Sequence, residues 1–125
     1  MEGYYLLNSH PAGDKVEFSV ISDERSFVKL FGKIDKDDYP NFDFEHVLVM
    51  AMQPTTKQYF LRFDEMAVKA GDFIEVYCSV RKEKHKLTYL DQPIAVAAIP
   101  KYLRLSRVDF YDTNTKKLLK SVHLR

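Results

Sequence analysis

From Lys15 onward, apolar and polar positions alternate with a period of two, the spacing at which side chains recur on one face of a strand. Val16, Phe18 and Val20 alternate with Glu17 and Ser19 and predict a half-buried strand. The period then changes. Phe27, Val28, Leu30 and Phe31 form an i, i+3, i+4 stripe behind the N-cap candidates Ser22-Asp23, and Gly32 supplies a stop. That pattern predicts one short helix of about two to three turns. Lys33 to Asn41 is polar and acidic and reads as a loop.

Asn41 to Phe63 is the most informative stretch. Phe42-Asp43-Phe44 leads into Val47-Leu48-Val49-Met50-Ala51-Met52, which is apolar at both parities and is expected to be buried on both faces. Gln53-Pro54-Thr55-Thr56-Lys57-Gln58 follows as a polar loop, and Tyr59-Phe60-Leu61-Arg62-Phe63 as a second strand. Two strands joined by a Pro-containing tip form a support that displays a loop, and displayed loops are where binding usually sits.

Ala70-Gly71-Asp72 predicts a turn before a strand from Phe73 to Arg81. Lys82-Glu83-Lys84-His85-Lys86 reads as a solvated hairpin tip that returns through Leu87-Thr88-Tyr89-Leu90. Gln92-Pro93 breaks that strand, Ile94 to Ile99 resumes it and Pro100 closes it. Arg107 to Tyr111 and Leu118 to Leu124 flank a turn over Asp112 to Lys117. The sum is a mainly β chain, an antiparallel β-sandwich or partly open barrel of about seven or eight strands with one short helix. Residues 1–14 are expected as an N-terminal extension and 15–125 as a single β-rich domain.

At 125 residues, the chain is long enough for one domain with a real core. Its 46% hydrophobic and 14% aromatic content excludes a disordered segment. No apolar run approaches the roughly 18 residues of a membrane helix. The N-terminus carries no basic region of the signal-peptide kind, and a native start at Met1 would place the protein in the cytoplasm. One cysteine excludes an intramolecular disulfide. Cys78 shares a strand face with Ile74, Val76 and Val80 and reads as a small buried hydrophobe.

Charge is uneven along the chain. Residues 1–80 hold 8 Lys/Arg against 14 Asp/Glu, and residues 81–125 hold 11 against 4, a difference of −6 against +7. Either the basic half offers a face to an acidic partner or nucleic acid, or the two halves neutralise each other as neighbours in the sheet. The second reading is preferred, because strands from both halves should be adjacent.

Candidate chemistry is sparse. His10, His46, His85 and His123 have no metal-type spacing, and His46, close to Asp43 and Glu45, reads as a capping or strand-edge residue. Asp35, Asp37 and Asp38 suggest a calcium loop, but that frame puts Pro40 at the turn glycine and His46 at the bidentate glutamate. A solvated acidic loop is expected there, with an irregular cation site as the alternative. No Gly-x-Ser-x-Gly or glycine-rich phosphate loop occurs, no metal or other cofactor is implied, and an enzyme is not expected. Arg81, Lys82, Lys84, Lys86, Lys101, Arg104 and Arg107, with Tyr89 and Tyr102, are the candidates for a single-stranded nucleic-acid surface. Lys-rich tips also protect strand edges, so nucleic acid is the less favoured partner.

The order of parts resembles the C-terminal domain of the PrcB protease-complex lipoproteins, especially the Bacteroidetes-type relatives. The residues concerned are Ser22-Asp23-Glu24-Arg25-Ser26-Phe27 and Gly32, Phe42-Asp43-Phe44 before the apolar strand, Gln53-Pro54-Thr55-Thr56-Lys57 after it, and Gln92-Pro93-Ile94-Ala95-Val96-Ala97-Ala98-Ile99-Pro100. The similarity covers roughly Val16 to Tyr111. Relatives often carry Gly-Gly-Tyr where this chain has Lys57-Gln58-Tyr59. The resemblance implies an exported, non-enzymatic domain that stabilises or inhibits a protease, in the cell envelope or periplasm, with a leader and lipid anchor preceding this sequence.

The expected function is binding of another protein, a protease by the resemblance, through Gln53, Pro54, Thr55, Thr56 and Lys57. Proline lowers the ordering entropy of such a loop, and Thr and Lys supply adaptable hydrogen bonds. The alternatives are a small-molecule-binding β domain, which needs a closed apolar pocket, and single-strand nucleic-acid binding through the basic half.

Overall fold

Every residue of Val47–Ala51 is buried, and a strand without a polar face must be covered on both sides. The computed structural model, which describes residues 4–7, 15–35, 39–101 and 104–124, shows how this is done. The elements run β1 (Glu17–Ile21), α1 (Glu24–Phe31), β2 (Glu45–Ala51), β3 (Thr55–Lys69), β4 (Phe73–Asp91), β5 (Ile94–Pro100), β6 (Arg107–Asp112) and β7 (Leu118–His123). They form a three-stranded sheet in the order β1-β2-β5 and a four-stranded sheet in the order β3-β4-β6-β7. The fold is an open β-sandwich with one short helix, as the alternation predicts. One ladder, β4 with β6, is parallel, since the chain crosses to the other sheet as β5 between them.

β2 is the centre of the smaller sheet. Leu48 and Met50 point into the space between the sheets, against Ile74, Val76, Cys78, Val108 and Phe110. Phe18 stacks on Phe110 across that space at 4.6 Å between ring centroids. Val47, Val49 and Ala51 point the other way, against Phe27 and Phe31 of α1 and against Tyr4 and Leu6. The result is three layers, in which the helix and residues 4–7 cover the outer face of the small sheet. The expected N-terminal extension is therefore part of the core over Tyr4 and Leu6, which are 2% and 9% exposed. Leu7 N–H donates to the Leu30 carbonyl and fixes this segment to the helix.

The helix ends form as expected. The Asp23 carboxylate accepts from the Ser26 N–H at 2.7 Å, and Gly32 closes the helix at φ 80° with its N–H on the Val28 carbonyl. A Cβ at Gly32 would lie 2.8 Å from a methyl of the exposed Leu7, which can move aside, so it is the backbone conformation that selects glycine there.

Two expected loops are absent. The Gln53–Gln58 loop shrinks to residues 52–54, because Thr55 already begins β3. The two strands flanking it do not pair with each other but belong to different sheets. The connector is clamped: Gln92, 6% exposed, donates to the Met52 carbonyl at 3.2 Å and accepts from the Leu6 N–H at 2.8 Å. Met52 N–H in turn donates to the Pro93 carbonyl. The Lys82–Lys86 tip is also absent, since Phe73 to Asp91 is one continuous strand, which accounts for seven strands where up to eight were counted.

Candidate functional site

β4 is paired on both sides only as far as Cys78, the last residue in register with β6. Beyond it, β4 continues with β3 alone as a two-stranded ribbon that leads to the β2–β5 pair of the small sheet at Met52 and Pro93. Pairing along the ribbon is uneven. Tyr59 faces Lys82 and Lys57 faces Lys86, so Glu83, Lys84 and His85 stand against the single residue Gln58. Thr55 then faces Asp91, which sets four residues of β4 against Thr56. Surplus residues on one strand bend the pair and re-aim its side chains.

The first bulge encloses a depression of about 330 Å³ lined by Lys57, Lys82, Glu83, Lys84, His85 and Lys86. Lys82, Lys84, His85 and Lys86 are exposed. Glu83 is engaged by Arg81, whose Nε lies 2.8 Å from its carboxylate and whose guanidinium sits over the Phe60 ring. Beside the second bulge is a smaller recess of about 80 Å³ with a mixed lining, in which Tyr59, Leu87, Tyr89 and Pro93 stand together with Lys57 and Asp91. Tyr89 and Leu90 are 60% and 69% exposed.

The five loop candidates divide across this boundary. Gln53 and Pro54 lie in the half-buried connector, and Thr55, Thr56 and Lys57 open β3 at the ribbon. Thr55 Oγ1 accepts from the Lys57 N–H at 3.1 Å, and Thr56 is exposed. The basic-aromatic set is also divided. Arg81, Lys82, Lys84, Lys86 and Tyr89 lie on the ribbon, whereas Arg107 stands over Phe73 and pairs with Asp109 on the four-stranded sheet. Arg104 is exposed, Lys101 is engaged by the Ser22 and Phe42 carbonyls, and Tyr102 lies outside the described residues. The ion pairs Arg62–Asp64, Lys69–Glu75, Arg81–Glu83 and Arg107–Asp109 each join groups in the same half of the chain. Across the two halves, the Lys101 charge acts on Asp23.

Two polar knots lie away from the ribbon. His46, 7% exposed, shares a 2.8 Å hydrogen bond between Nδ1 and Ser22 Oγ. Lys101 Nζ donates to the Ser22 and Phe42 carbonyls and so ties the β1–α1 junction to the end of β5. Burial, and then the Lys101 charge, hold His46 below its ordinary value. Among the described residues no third group orients His46 as a nucleophile's base would require. In the second knot, Asp64 accepts from Ser79, Thr113 and Arg62. Burial raises its pKa, but these three donors outweigh it and hold the carboxyl below its ordinary value.

Cys78 is 1% exposed, and burial, with the Asp64 and Asp112 charges, pushes its thiol up to about 12, as a structural cysteine requires. Among the described residues, no group of three or more His, Cys, Asp or Glu is placed to hold a metal ion. Asp37 and Asp38 of the expected acidic loop, and His10, lie outside those residues, and Asp35 is exposed. No described helix is long and apolar enough to cross a membrane.

The bulged ribbon was hidden in the sequence behind the lysine run. The available signal was the lack of any Gly, Pro, Asn or Asp between Arg81 and Leu90, residues that a hairpin tip normally needs. Compared with protein-family models, curated proteins and solved structures, the chain finds no match, and the ribbon geometry is what its functional reading rests on.

Proposed function

We propose that this chain is a protein-binding domain whose contact surface is the β3–β4 ribbon, with Thr55, Thr56 and Lys57 at its start. The carrying observation is the pair of bulges that leaves a basic depression and a smaller mixed recess side by side on two strands beyond the reach of β6. A partner docking there meets a rigid strand framework, so little ordering entropy is lost on binding. Both depressions open at the surface, which favours a macromolecular partner over an enclosed small molecule. The resemblance to the PrcB C-terminal family makes a protease the first partner class to test and the cell envelope the first location to examine.

The test is affinity capture from envelope and cytoplasmic fractions of the native cell, comparing the unaltered chain with Thr56→Trp. Thr56 is exposed, so the indole blocks the ribbon without entering the core. A specific partner lost on substitution is the expected result. Equal capture by both chains would contradict the ribbon assignment.

A further inference from the structure

Resting on the ribbon reading, we infer that the depression under the first bulge is an anion-recognition site for an acidic protein segment, with Leu87, Tyr89 and Pro93 of the adjoining recess taking a hydrophobic side chain of that segment. Lys82, Lys84 and Lys86 bring three exposed ammonium groups to one depression of about 330 Å³, with Lys57 on the opposite strand. Gathering like charges in this way costs stability, and directly opposed like charges in a ladder are unfavourable. A ligand that carries negative charge to the depression converts that cost into binding energy and speeds encounter.

The one carboxylate in the lining, Glu83, pairs with Arg81 and is outnumbered by the lysines around it. His85 adds a hydrogen-bonding edge to the same depression. Carboxylates fit this arrangement as point acceptors for rotatable ammonium donors, each free to find its own oxygen.

The geometry favours a protein segment over nucleic acid. The basic lining is a single depression rather than a groove along which a phosphate backbone would track. The neighbouring recess, about 80 Å³ with Tyr59, Leu87, Tyr89 and Pro93 in its lining, suits a small aliphatic side chain of such a segment.

The test is fluorescence anisotropy on the full chain at low and near-physiological salt. The probes are a labelled Glu-rich peptide with interspersed Leu, its Gln-for-Glu counterpart, an oligothymidylate and pyrophosphate. The acidic peptide should bind and weaken as salt rises. It should bind at least about tenfold more weakly to the triple variant Lys82→Gln, Lys84→Gln, Lys86→Gln, as three exposed charge contacts imply. The Gln counterpart should bind at least about tenfold more weakly as well. All three substituted side chains are exposed, and a melting curve checks that the fold is intact.

Absence of acidic-peptide binding, or binding indifferent to the triple substitution, overturns the assignment. Tighter binding of the oligothymidylate or of pyrophosphate than of the peptide overturns it in favour of a nucleic-acid or phosphate site. Partner capture separates the two readings. A partner lost by Thr56→Trp but kept by the triple variant overturns the acidic-segment assignment alone. A partner kept by both overturns the ribbon reading and this assignment with it.

Discussion

Lys57 on β3 and Lys86 on β4 stand directly opposite each other in the ladder, a like-charge pair at the edge of the depression. Like charges directly opposed in a ladder are unfavourable, and the placement of these two beside Lys82 and Lys84 concentrates charge where a partner is proposed to dock. Lys86→Glu should therefore separate stability from function. It replaces repulsion by attraction across the ladder and should stabilise the chain by about 0.2–1 kcal/mol. Binding of an acidic probe should weaken in the same variant. A melting curve and a binding isotherm on one sample read both effects, and a drop in stability would contradict the opposed geometry.

The outer layer depends on Phe27, which has no exposed surface and touches the rings of Tyr4, Phe31, Tyr39 and Phe42. Phe27→Ala removes the aromatic centre that joins the helix and residues 4–7 to the small sheet. Denaturant unfolding should show a loss of about 3–5 kcal/mol, the usual cost of emptying such a site. A loss below about 1 kcal/mol would mean that this layer is not packed as described.

Acid should weaken the fold through His46. Its folded pKa lies below the ordinary 6.5, because burial and the Lys101 charge disfavour the imidazolium. The unfolded chain then takes up a proton that the folded chain refuses, so stability rises with pH. The contribution is complete above about pH 6.5 and is lost as pH falls from there towards the lowered folded value. The lowered carboxyl of Asp64 acts in a separate window, beginning near its ordinary 3.8. Melting temperatures from neutral pH down to mildly acidic pH should fall for the native chain, and His46→Gln should flatten that slope. An unchanged slope in the variant would remove His46 as its cause.

What the sequence revealed follows from which interactions are local. The double burial of β2 was legible because Val47 to Met52 carries no polar side chain, so no register leaves a face for water. The helix was legible from its apolar stripe, from Asp23 at its start and from Gly32 at its end. The turn at Ala70 to Asp72 also formed, with Ala70 and Gly71 at positive φ.

The ribbon was not legible, because Lys82–Lys86 has the composition of a solvated tip while its pairing with Lys57 and Tyr59 is long-range in sequence. Thr55 and Thr56 were read as loop because they are polar, although β-branched side chains suit a strand. Tyr4 and Leu6 sit in a stretch too short to show a period, and their place in the core is decided by the space beside α1. Of the five candidate contact residues, Thr55, Thr56 and Lys57 lie on the ribbon and Gln53 and Pro54 in the connector before it, while most of the surface now proposed comes from β4.

The most direct test of the ribbon as the contact surface is residue-resolved. Backbone amide spectra of the isotopically labelled chain, titrated with the Leu-containing Glu-rich peptide, report where the segment lands. The account predicts that the perturbed amides cluster over residues 55–60 and 80–91 and that the perturbation fades with salt. Perturbations centred instead on the outer face of the four-stranded sheet, around Tyr77 and Tyr111, or on the Ser22–Lys101 knot, would contradict it.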